Sequence, residues 1–260
     1  AHNVAGTNGG AIDWFEGAQN GLVDNVTFIN NTAKRNGGAI FWHGDNGTVK
    51  NSKFYYNSVQ STIDWKVDGG AILWDKSRHA LVDNCTFVGN FVITNGDTSG
   101  TTASAVWAQG GAMYLRPTAN YTVRNCHFEN CSSSKEAGAL YIQGKTNSND
   151  PMILLENSVF INNVAYAKGQ YNINGGGAIQ IKQCTQSVFN NLTFINNTAN
   201  KGGALSVFDS VTHLEVNGAN FTGNKAGNNG GAIKNVKPIT ASGRLILSIN
   251  TFYPVKFSSI

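Results

Sequence analysis

The sequence predicts an all-β chain, a parallel β-helix of about eight rungs, and three observations predict it. First, Gly-Gly-Ala-Ile stands at 9–12, 37–40, 69–72, 176–179 and 230–233, with Gly-Gly-Ala-Met at 110–113, Gly-Gly-Ala-Leu at 202–205 and Ala-Gly-Ala-Leu at 137–140. Second, Val-x-Asn-x-x-Phe-x-x-Asn runs between copies, as in Val23, Asn25, Phe28 and Asn31. Third, no window sustains the period of about 3.6 residues that marks a helix. The copies start 28, 32, 41, 27, 39, 26 and 28 residues apart, so each unit is too small to bury a core alone and must stack on its neighbours. The repeat covers about residues 9 to 252, which makes 1–260 a single elongated domain.

Each unit opens on a strand. Ile12, Ile40, Ile72, Met113, Leu140, Ile179, Leu205 and Ile233 are all apolar, and two residues on come Trp14, Trp42, Trp74, Leu115, Ile142, Ile181, Val207 and Asn235. A period of two gives one buried face. The residue between them varies freely (Asp13, Phe41, Leu73, Tyr114, Tyr141, Gln180, Ser206, Lys234), so it points outward.

The second segment carries Val23, Val49, Val82, Val123, Leu155, Phe189, Val216 and Leu247, followed by an Asn column at 25, 51, 84, 125, 157 and 191. A Phe column is complete at 28, 54, 87, 128, 160, 194, 221 and 252. A further Asn column occupies 31, 57, 90, 163, 197 and 224, with Cys131 substituting once. Asn amides can bond from rung to rung, and Asn accepts the left-handed backbone that corners need. The four cysteines match no zinc spacing. Cys85 and Cys126 share a repeat position, so a buried ladder or a disulfide between rungs is open to them.

The rungs differ in length. Segments 55–68, 88–109 and 161–175 are insertions leaving the same corner, and 143–152 extends another corner. Solenoid insertions gather on one edge, often the binding edge. They hold Trp65, Trp107, Tyr166 and Tyr171. The outward run Phe41, Leu73, Tyr114 and Tyr141, with Trp65 and Trp107 beside it, forms the candidate ligand-binding surface. The alternative is that the insertions fold back over this run and make it a satellite core.

Only 13% of residues are charged, and the net charge of +4 is spread without a basic run, which argues against nucleic acid as a partner. No apolar run reaches the length of a membrane span. The 15 acidic residues form no doublet, the five histidines have no ligand spacing, and no nucleophile has a base placed beside it. The expectation is therefore no catalytic residue, no metal and no cofactor.

Gly-Gly-Ala-Ile paired with Phe-x-x-Asn resembles the polymorphic outer-membrane-protein repeat of chlamydial surface adhesins. Asn46-Gly47-Thr48-Val49-Lys50-Asn51 and Thr27-Phe28-Ile29-Asn30-Asn31-Thr32-Ala33 are similar to the adhesin-like proteins of methanogenic archaea of the Methanobrevibacter type. The resemblance covers nearly the whole chain. It implies a right-handed, single-stranded, pectin-lyase-like β-helix, placement outside the cell at its surface, and attachment to a glycan or protein of another cell. The chain departs from the family pattern at Ala137, at Cys131 and in the long insertions, where individual function is expected. Interruption of the pattern at both ends suggests a fragment of a larger surface protein. Among the Asn-x-Thr sequences, Asn46 and Asn120, at the looser corners, are the best candidates for N-glycans. A polysaccharide lyase or hydrolase on the same fold, and a structural stalk or viral fibre, are the rival readings.

Overall fold

Paired glycines set each rung's first turn. Gly37 holds φ 60, which a side chain resists, and a Cβ on Gly38 would stand 2.0 Å from the Gly70 carbonyl oxygen of the next rung. Six of the eight copies carry a left-handed glycine here, and Ala137 takes the same conformation at φ 56. The computed structural model describes residues 1–61, 66–94, 107–144, 152–166, 175–235 and 244–253. These form strands and no helix.

Four short segments make one rung, and each pairs in parallel with its counterpart in the next. The strands after the Gly pair, from Ile12–Trp14 to Ile233–Asn235, stack as an 8-stranded sheet. The Val and Phe segments form two ladders that merge through the strand His213–Thr222 into one 14-stranded sheet. The segments after the second Asn column, from Val4–Ala5 to Lys225–Asn229, form another 8-stranded sheet, here called the edge sheet. Leu245–Leu247 belong to a last strand, Arg244–Tyr253, paired with His213–Thr222.

The expected columns are in register. Ile40 pairs with Ile72, Val49 with Val82 and Phe54 with Phe87. Successive Phe rings from Phe28 to Phe221 stack with centroids 4.7–5.2 Å apart, which is the strand spacing itself. Trp14, Trp42 and Trp74 stack likewise at 4.5 and 4.7 Å, with Trp42 and Trp74 fully buried.

The two Asn columns do different work. Asn25, Asn51, Asn84, Asn125, Asn157 and Asn191 take φ of 47–55 and turn the exposed corner between the Val and Phe segments. Their amides stack where neighbours allow, as in Asn84 Nδ2 to Asn51 Oδ1 at 2.9 Å. The second column is buried. Asn31 Nδ2 donates to Asn57 Oδ1 at 2.8 Å, Asn57 Nδ2 to Asn90 Oδ1 at 3.0 Å, and Asn163 Nδ2 to Asn197 Oδ1 at 2.9 Å. Each acceptor also takes the preceding rung's backbone N–H, as Asn57 Oδ1 does from Asn31 N at 3.0 Å. Cys131 breaks this ladder between Asn90 and Asn163.

A second left-handed column went unread in the sequence. It comprises Asn30, Tyr56, Gly89, Asn130, Asn162, Asn196 and Gly223, with φ of 51–64. All four cysteines are buried free thiols, Cys85 and Cys126 in the ladder expected of them. Burial pushes Cys131 and Cys184 up to about 12, which leaves both unreactive.

Candidate ligand-binding face

The outward residues of the Gly-pair sheet are not an exposed surface. Phe41, Leu73, Tyr114 and Tyr141 are between 0% and 7% exposed and pack with Ala137 as a cluster separate from the main core. This corrects the expectation of an open apolar row. The chain returning from the 55–68 insertion accounts for part of the cover, since Lys66 lies over the Tyr114 ring with Nζ 4.9 Å from its centroid. Tyr114 and Tyr141 meet edge to face at 4.9 Å. Trp65 lies outside the described residues, as does Tyr171, and Trp107 is half-buried.

Beside this cluster runs a polar row that the sequence reading missed. The residue before each Gly pair is Asn8, Asn36, Asp68, Gln109, Glu136, Gly175, Lys201 and Asn229. The first five are bridged in parallel, rung to rung. Aligning the copies on the Gly pair would have shown five consecutive amides or carboxylates. Their four different letters hid the column.

Three carboxylates are buried among the described residues, namely Asp68, Asp75 and Glu136. Asp75 accepts from Arg116 Nη1 at 2.7 Å. Asp68 lies 3.4 Å from Lys66 Nζ, yet its burial outweighs that cation and raises its pKa from 3.8 to about 7. Glu136 accepts from Gln109 Nε2 at 2.5 Å and Gln180 Nε2 at 3.1 Å, and burial raises its pKa also. Tyr114 donates to Gln143 Oε1 at 2.6 Å and accepts from Lys66 Nζ at 3.2 Å, while burial raises both Tyr114 and Tyr141. Asp68 Oδ1, Gln109 Oε1, Gln180 Oε1 and Ser206 Oγ are buried with no hydrogen-bond partner, while the Tyr141 hydroxyl lies against the Glu136 carboxylate.

Exposed large apolar side chains fall into three groups among the described residues. One is the first rung and its approach (Val4, Phe15, Leu22, Val26) and one the last strand (Ile246, Leu247). The third is Tyr56, Ile93 and Tyr166, at 56%, 40% and 53%. These three lie in the insertion segments 55–68, 88–109 and 161–175 respectively. Tyr56 sits at the left-handed corner leading into the edge sheet, Ile93 lies in its strand Phe91–Thr94, and Tyr166 directly follows its strand Val164–Ala165. The insertions therefore do leave from one edge.

His127 points outward, half-buried, 3.0 Å from Glu129. Asn46 and Asn120 are both exposed. Among the described residues no group of three His, Cys, Asp or Glu side chains is placed to hold a metal, and no helix is long and apolar enough to cross a membrane.

No curated protein and no solved structure matches the chain. Two overlapping stretches, residues 2–168 and 39–244, match the sequence profile of the right handed beta helix region. Between them they take in all of the strands described above except the last, Arg244–Tyr253, and the sheets are parallel and in register from rung to rung; the chain belongs to the right-handed β-helix family.

Proposed function

We propose that this β-helix is an adhesin-like domain displayed outside the cell, which recognises a carbohydrate of another cell's surface through its insertion-bearing edge. The mechanism is non-covalent: the coil fixes the positions of the contacting groups and no bond is made or broken. Tyr56 carries the reading. It holds φ 56 at a corner that the other rungs fill with Asn or Gly, and still leaves its ring more than half exposed. A bulky residue in that conformation is an outlier that backbone preference opposes, so contact with a partner is the simplest reason for it. Ile93 and Tyr166 extend the apolar edge over the next three rungs, roughly 15 Å in all at strand spacing. That is the reach of a short oligosaccharide, whose rings stack on aromatic faces. The sparse charge suits a neutral glycan better than an ionic partner.

Binding to a glycan array tests this, with wild type beside a Tyr56→Asn/Tyr166→Ala double variant. Asn is the residue that the corner prefers, so the variant should fold. Binding by wild type and its loss in the folded variant is the expected result. Equal binding by both would remove the edge from the account.

One observation favours an enzyme instead. Asp68 and Glu136 stand two rungs apart in one column, about 10 Å at strand spacing, near the carboxyl separation of inverting glycosidases. Against it, they are only 4% and 3% exposed, and both Glu136 oxygens are held by amides. Release of reducing sugar from a polysaccharide panel, abolished in Glu136→Gln, would establish that reading.

A further inference from the structure

The outer face of the edge sheet is banded. Phe91 and Ile93 take the outward positions of one rung, and Val164 and Tyr166 take the same positions two rungs on. Between them stand Ser132 and Ser134, with Ser132 paired to Phe91 on one side and to Val164 on the other. Outside the two apolar rungs, Gln60 pairs with Ile93 and Thr198 with Val164. Polar and apolar rungs therefore alternate across five successive rungs, and no side chain in this alternation is charged. Tyr56 joins the first apolar band although it starts one rung earlier. Its ring lies across Gly89, where an added Cβ would stand 2.5 Å from Tyr56 Cδ1, and Gly89 leads into the strand of Phe91 and Ile93.

The bands are two strand spacings apart, about 10 Å along the coil axis. A ligand that meets both must repeat at that length. An extended peptide repeats its side chains every two residues, about 7 Å, and falls out of step. A nucleic-acid strand needs cations along its path, and the bands hold none. In an extended β-1,4-linked pyranose chain each ring is turned half a turn from the last. The same ring face returns on every second sugar, and two sugars span two rungs. An α-1,4 linkage coils the chain and loses the match.

We infer that the edge binds a linear, neutral, β-1,4-linked polysaccharide lying along the coil axis. Alternate rings stack on the Phe91–Ile93 and Val164–Tyr166 bands, and Ser134 bonds the ring between them. Ser134 Oγ accepts from the Thr94 N–H at 3.3 Å, which leaves its O–H to donate to a sugar hydroxyl. Apolar stacking supplies the affinity and the polar rungs set the register. The inference rests on the carbohydrate reading of this edge and adds the linkage and direction of the ligand.

Titration calorimetry with cello-, manno- and xylo-oligosaccharides of two to six sugars, beside malto-oligosaccharides of the same lengths, tests it. Bands two sugars apart are reached together only by three consecutive rings. Wild type should bind at least one β-1,4 series, with affinity rising about tenfold from disaccharide to trisaccharide as one more ring is buried. It should bind the malto series more weakly by about the same factor. Tyr166→Ala should remove the rise and keep the disaccharide affinity, because one band remains. A Ser134→Tyr/Tyr166→Ser variant keeps the composition but puts the apolar groups on adjacent rungs, and should not restore the rise; circular dichroism checks that both variants fold. No rise from two to three sugars, or a rise kept in the shifted variant, would overturn the inference. A malto series bound as tightly as the β-1,4 series, and lost in Tyr166→Ala, would overturn the linkage and leave the carbohydrate edge standing. No binding of any oligosaccharide by folded wild type would overturn the carbohydrate reading itself, and this inference with it.

Discussion

Two buried polar rows run along this coil and are finished differently. In the Asn ladder every side chain is satisfied: Asn57 accepts from Asn31, donates to Asn90 and also reaches the Phe28 carbonyl at 3.0 Å. In the row before the Gly pairs, Asp68 and Gln109 keep unpartnered oxygens, and the adjoining Gln180 and Ser206 do too. A completed row holds rungs in register and needs nothing further. An uncompleted one, at equal burial, is tuned for something beyond the fold. The ladder is therefore read as structure and the other row as the place where this chain differs from its own repeat.

The comparison breaks if damage to the ladder is cheap. Asn57→Ala strands buried donors on Asn31 and should cost about 4 kcal/mol, at about 1–3 kcal/mol for each unsatisfied group, as measured by denaturant unfolding. Asp68→Asn should act the other way at neutral pH. Asp68 binds its proton more tightly folded, near 7, than unfolded, near 3.8, so wild-type stability falls as pH rises from about 4 to 7 and is flat above. The variant should lack that fall, matching wild type near pH 4 and exceeding it above pH 7 by up to about 4 kcal/mol. A parallel pair of stability–pH curves would contradict the buried, shifted carboxylate.

Smaller changes sharpen the contrast. Cys131→Asn should join Asn90 to Asn163 in one continuous ladder and add about 1 kcal/mol, seen as a higher denaturation midpoint. Tyr56→Asn alone should gain about 1 kcal/mol by relieving the left-handed tyrosine, and at the same time weaken glycan binding. Stability gained with binding unchanged would make Tyr56 a tolerated irregularity and no more.

The interior was legible because it is periodic. Ile, Val, Phe and the second Asn recur at fixed offsets, and parallel in-register stacking turns each recurrence into a contact with its own copy. The outward face was legible only in part. Phe41, Leu73, Tyr114 and Tyr141 were correctly placed on the far side of the sheet from the main core, but their burial depends on where the non-repeating 55–68 segment returns and lays Lys66 over Tyr114. The row of Asp68, Gln109 and Glu136 escaped for a related reason. Its position repeats while its chemistry changes from amide to acid, and the partners of Glu136, which are Gln109 and Gln180, come from neighbouring rungs rather than from its own. Tyr56 shows the same limit, because its left-handed backbone is imposed by the corner against its own preference.

The most direct measurement is a crystal structure at better than about 1.2 Å, where amide orientation and ordered water can be assigned. The expected result is an Asn ladder with every amide partnered, beside Gln109 and Gln180 amide oxygens that no protein group or ordered water reaches. Ordered waters or turned amides that give each of those oxygens a partner would show that the row is as complete as the Asn ladder and would remove the distinction.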